Sequence, residues 1–108
     1  MGDAAVSVVL VTAPSLEVAE SLVSTVVDER LAACGNIVPG IVSIYRWQGS
    51  VQRDAEVLVL FKTTASAVQR LIERVVQLHP YDVPEAIELT VSRGSAPYLA
   101  WVAANADG

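Results

Sequence analysis

Residues 55–63 read A-E-V-L-V-L-F-K-T, and five of them in succession, Val57 to Phe61, are apolar. A β-strand turns successive side chains to opposite faces. As a strand, this segment is greasy on both: Val57, Val59 and Phe61 point one way, Leu58 and Leu60 the other. Residues 6–12 (V-S-V-V-L-V-T) repeat the pattern, with Val8 and Leu10 opposite Val9 and Val11. A fold containing these two strands needs cover on two sides. Residues 87–91 differ. Ile87, Leu89 and Val91 alternate with Glu88 and Thr90, as expected of an edge strand with one wet side.

The rest of the chain supplies a frame for these strands. After residues 6–12, Ala13-Pro14-Ser15 breaks the strand and Ser15 is an N-cap for a helix. Ala19, Leu22, Val23, Val26 and Val27 recur at helical spacing, and the pattern predicts a helix running to about Ala33. Residues 36–48 are extended, with a bend or bulge at Pro39-Gly40 and edge-strand character. A polar turn over Gly49–Asp54 joins them to the strand at 55–63 in an antiparallel hairpin. A second helix starts at Thr64 or Ser66, carries the stripe Val68, Leu71, Ile72, Val75 and Val76, and stops at Pro80. Residues 79–85 (H-P-Y-D-V-P-E) form a loop, 86–91 a strand, and Ser95–Asn105 a short helix with Pro97 in its first turn. The order βαββαβ plus a tail helix predicts one α+β domain over residues 1–108. It is ferredoxin-like, with strands 1 and 3 central in an antiparallel sheet and strands 2 and 4 at its edges.

Two helices cover one face of such a sheet, and the tail helix is too short to cover the other. Composition points the same way: 53% of residues are hydrophobic and only 18% charged, against about 25% charged in typical soluble domains. A membrane is excluded as cover, because a spanning helix needs about 20 consecutive apolar residues and the apolar stretches here are short. Met1-Gly2-Asp3 has no basic leader, and Val6 stands where a myristoylation motif requires Ser or Thr, so a cytoplasmic location is expected. The remaining cover is another copy of the chain. A homo-oligomer closed as a ring around the second sheet face is expected. The net charge of −5 disfavours nucleic acid as a partner. The single cysteine, Cys34, excludes an intrachain disulfide and a Cys-cluster metal site.

Longer motifs then come into view. Glu29 to Gln48 reads E-R-L-A-A-C-G-N-I-V-P-G-I-V-S-I-Y-R-W-Q. Gly49, Glu56 with V-L-V-L-F-K-T, H-P-Y-D-V-P-E and P-Y-L-A-W follow in order. Over roughly residues 6–103 the chain resembles the CutA divalent-cation tolerance family. The resemblance implies a homotrimer similar to the PII signalling proteins. It also implies a role in tolerance of copper and other divalent cations, with copper or another divalent ion weakly bound, and neither a catalysed reaction nor an organic cofactor. Three positions depart from the family pattern: Gly35, Glu88 and Ala96. Gly35 is expected to loosen the helix end beside Cys34.

Candidate sites follow from residue chemistry. His79 is the only histidine, and imidazole suits Cu(II); Asp82 and Glu85 follow in the loop, and Cys34 is a further thiolate donor. The blander alternatives are a histidine that satisfies the last helical turn and a cysteine that acts as a small buried hydrophobe. Tyr45 and Trp47 share one strand face, with Arg46 and Gln48 on the other. They read as packing at a subunit contact together with Leu58 and Leu60. The sharper reading is a ligand cleft between subunits, with Trp47 and Tyr81 as walls, Lys62 and Arg46 as anion anchors and Glu56 as acceptor. Lys62 ends an apolar central strand and needs a partner, which Glu56 or a bound anion would supply. No G-x-S-x-G, phosphate-binding Gly-rich loop or H-E-x-x-H is present. Three functions stay open: a metal-binding trimer, a PII-like module holding a small anionic metabolite between subunits, and a trimeric scaffold for a partner protein.

Overall fold

The computed structural model describes residues 5–107, so the reading made of Met1–Asp3 lies outside it. Seven elements follow in order: β1 (Val6–Ala13), α1 (Leu16–Asp28), β2 (Cys34–Trp47), β3 (Ser50–Thr64), α2 (Val68–Leu78), β4 (Ile87–Thr90) and α3 (Ala96–Asn105). The four strands form one sheet in the order β2-β3-β1-β4, and each neighbouring pair is antiparallel. The two strands that are apolar on both faces are therefore the central ones, as expected.

Val9, Val11 and Ala13 of β1 pair with Phe61, Val59 and Val57 of β3. Paired residues share a face, and this face is sealed under the helices by Ala19 and Val26 of α1 and by Val68, Leu71 and Val75 of α2. Ser15 caps α1 as predicted, its Oγ accepting the Val18 N–H at 3.2 Å.

Two boundaries differ from expectation. The helix α1 stops at Asp28, not near Ala33, because Arg30 takes a left-handed φ of 62°. The Leu31 N–H then donates to the Val26 carbonyl and the Arg30 N–H to that of Val27, which is a Schellman closure. Glycine normally marks that position, so an arginine there gave no warning. Secondly, no polar turn spans 49–54. The turn is Gln48-Gly49 alone, with φ of 50° and 83°, and Trp47 pairs directly with Ser50. Positive φ at both central residues is the two-residue hairpin turn that matches strand twist. Residues 50–54 thus extend β3, and the hairpin becomes a long arm in a molecule with extents of 50 × 25 × 22 Å. The irregularity expected at Pro39-Gly40 is present between Val38 and Ile41.

Gly35 does not loosen a helix end. It lies in β2 opposite Phe61, and a Cβ there would meet both γ-methyls of Val23 at 2.9 Å and Phe61 Cδ1 at 3.2 Å. Lacking that atom lets β2 approach α1 closely.

The second sheet face is partly open. Leu10, Leu60 and Ile87 lie in one cross-strand row, Val8 and Leu89 in the next. Ile87 and Leu89 are each 50% exposed. The strand β4 thus turns its apolar side to the uncovered face. Glu88 sits opposite Val9 on the helix side and accepts from Ser7 Oγ at 2.6 Å. The helix α3 covers only one end of the open face, where Val102 and Ala106 pack on Val6 and Ala33. Among the described residues, no helix is long and apolar enough to cross a membrane.

Candidate functional site

His79 follows the last turn of α2 and is buried. Its Nε2 donates to the Thr12 carbonyl at 2.7 Å, and its Nδ1 accepts the Tyr81 N–H at 3.1 Å. This bonding pattern assigns the ring proton to Nε2. Both ring nitrogens are committed, so neither offers a lone pair to a metal. The imidazole instead ties the loop at 80–85 to the end of β1 and packs tilted against Tyr81, with ring centroids 4.7 Å apart and an interplanar angle of 53°. That fixes where Tyr81 points. Its Oη donates to Glu56 Oε2 at 2.7 Å. Burial pushes the Tyr81 phenol up, and the Glu56 carboxylate adds to the shift.

Further out on the arm, Tyr45 Oη donates to the Asp54 carboxylate, and this bond raises the Tyr45 phenol above its ordinary range. Between the arm and the loop lies a groove of about 820 Å3, whose lining includes Tyr45, Trp47, Asp54, Glu56, Tyr81, Asp82 and Glu85. Asp54 was hidden from sequence reasoning by its placement in a turn. Residues 51–55 (V-Q-R-D-A) show no apolar/polar alternation that would have marked them as strand.

The metal set proposed from sequence does not assemble within one chain. Asp82 and Glu85 line the groove, but His79 is spent on backbone and Cys34 is elsewhere. Cys34 pairs with Lys62, which pairs with Val8, four residues (about 13 Å) along β1 from the Thr12 that His79 binds. Its Sγ lies 3.6 Å from Tyr98 Oη, a contact that raises the Tyr98 phenol. Among the described residues, no three of His, Cys, Asp and Glu come close enough to hold a metal ion.

The anion anchors also fall outside. Lys62 does not pair with Glu56, six residues away on β3. It donates to Asn36 Oδ1. Neither Lys62 nor Arg46 lines the groove, and Arg46 projects on the opposite face of the arm from Tyr45 and Trp47. Those two lie opposite Gln52 and Ser50, on the ribbon face that continues into Leu58 and Leu60. The four residues expected at a subunit contact therefore share one face.

The family model for CutA1, described as CutA1 divalent ion tolerance protein, matches residues 7–105. The chain belongs to this family. The divalent-cation tolerance protein CutA of Thermus thermophilus is 55% identical over 98 residues, spanning 91% of this chain and 95% of its own length. The chloroplastic CutA of Arabidopsis thaliana is 50% identical over 88% of this chain, which spans only 52% of that protein. A solved structure of the Thermus thermophilus protein superposes with a TM-score of 0.92 at 53% identity, covering 94% of this chain and 99% of its own.

Proposed function

We propose that the protein serves in tolerance of divalent metal ions as a homotrimer, binding copper or another divalent ion at a site completed between copies. The observation behind this reading is the combination of an uncovered apolar sheet face with the lack, among the described residues, of any three-ligand cluster inside one chain. A family associated with divalent ions, and described residues that bring no three ligands together within one chain, together point to donors drawn from more than one copy. Asp82 and Glu85 on the groove rim are the donors available from this chain, and no catalysed step is involved. The anionic-metabolite alternative is disfavoured by a groove that holds four carboxylates and no cationic side chain. Equilibrium dialysis of the assembled protein against Cu(II) tests the proposal. Binding that weakens in Asp82→Asn and Glu85→Gln and persists in His79→Gln supports it. Binding lost only in His79→Gln contradicts it.

A further inference from the structure

Residues 80–85 join α2 to β4 with little bonding of their own. Among the described residues, only Tyr81 ties this loop down by hydrogen bonds: its N–H donates to His79 Nδ1 and its Oη to Glu56 Oε2. Pro80 and Pro84 have no N–H to give. The first of these bonds depends on the protonation state of one ring. His79 is only 7% exposed, and its Nε2 already donates to the Thr12 carbonyl. Its Nδ1 can therefore accept only while the imidazole is neutral.

A proton on Nδ1 would set a second N–H against the Tyr81 N–H, donor facing donor. The surroundings do not compensate its charge. The strand β1 carries no charged residue, and neither does the last turn of α2. From β3, Glu56 reaches this side, but its Oε2 takes the Tyr81 hydroxyl. The Tyr81 phenol, raised by burial, stays neutral, and Asp82 and Glu85 line the groove. Among the described residues, no carboxylate forms an ion pair with the ring. A buried cation without a partner is costly, so proton uptake and the closed loop exclude one another. We propose that His79 is a proton-sensitive positioning residue: neutral, it latches the 80–85 loop to the end of β1, and protonated, it releases Tyr81 and the loop with it. Its bearing on Asp82 and Glu85 as donors rests on the metal-ion reading, whereas the latch itself needs no metal.

Nuclear magnetic resonance of the full-length protein without added metal tests this, and a single histidine makes the imidazole signals unambiguous. The nitrogen shifts at alkaline pH should report the tautomer protonated at Nε2. Hydrogen exchange of the Tyr81 amide, corrected for its intrinsic rate, should be slow there. Protection is present above the pH at which a free imidazole titrates, about 6.5, and should fall about tenfold by about pH 5.5, while the amides of Val9 and Val59 in the central strands stay protected. His79→Gln keeps one donor and one acceptor but takes up no proton, so its Tyr81 amide should stay protected at both pH values. His79→Phe should lose protection at both. The proposal is overturned by a tautomer protonated at Nδ1, by Tyr81 protection that does not change with pH in the parent, or by an equal acid loss in His79→Gln, which would assign the effect to the carboxylates. If the variants do not fold, the tautomer and the pH dependence of the parent decide the matter. Metal is absent from all these measurements, so their outcome is separate from that of the Cu(II) dialysis.

Discussion

A single missing carbon at position 35 sets how close β2 comes to α1. Gly35→Ala places a Cβ 2.9 Å from the Val23 methyls, so urea unfolding should show a loss of about 1–3 kcal/mol from overpacking. Val23→Ala in the same chain should recover most of it, and additive losses in the double variant would refute the contact. The three tyrosines offer a second test. Tyr45, Tyr81 and Tyr98 all have phenols raised above the ordinary value of 10.0, the first by its bond to Asp54, the second by burial and the third by its contact with Cys34. Their folded pKa values exceed the unfolded ones, so this stabilisation is fully present below about pH 10 and is lost as pH rises from there. Ultraviolet titration of the native protein should show tyrosinate forming later than in the urea-unfolded chain, and Tyr81→Phe should flatten the alkaline fall in stability. Of the groove residues, the sequence singles out Glu56, Tyr81, Trp47, Tyr45, Asp82 and Glu85, because aromatics and acids stand out from an apolar background. For His79 the sequence offers a metal ion or the end of its own helix, whereas its ring bonds to the Thr12 carbonyl and the Tyr81 N–H, partners that spacing cannot show.

At the scale of elements, the two-sided character of β1 and β3 is legible because unbroken apolar runs, Val8–Val11 and Val57–Phe61, put large side chains on both faces of a strand, and the βαββαβ order puts those strands in the centre. Turn chemistry was less so. Arg30 and Gln48 both take positive φ where the usual signal is Gly or Asn, so α1 was read too long and the arm too short. The arm is the more consequential error, since it hid Asp54, one of the groove's carboxylates. Asn is several-fold enriched at positive φ and favoured before Gly in this turn, so Gln48→Asn should stabilise the protein by roughly 0.5 kcal/mol in thermal unfolding. A destabilisation would show that the turn has another geometry.

At the scale of the whole molecule, what one chain leaves exposed is the informative quantity. Tyr45 and Trp47 on the arm are 41% and 43% exposed, and Ile87 and Leu89 on β4 are each half exposed, all on the sheet face away from α1 and α2. Soluble monomers rarely leave so many large apolar side chains open, and burial at about 25 cal/mol per Å2 favours association. The subunit number proposed here comes from family resemblance, whereas the need for a partner comes from the strands themselves. Leu89→Lys, on the uncovered face, should shift the protein toward smaller species while circular dichroism stays native. Sedimentation velocity at micromolar concentration is the most direct measurement: a single species of three times the 11.4 kDa chain mass is predicted, and a soluble, fully folded species of one chain mass would contradict it.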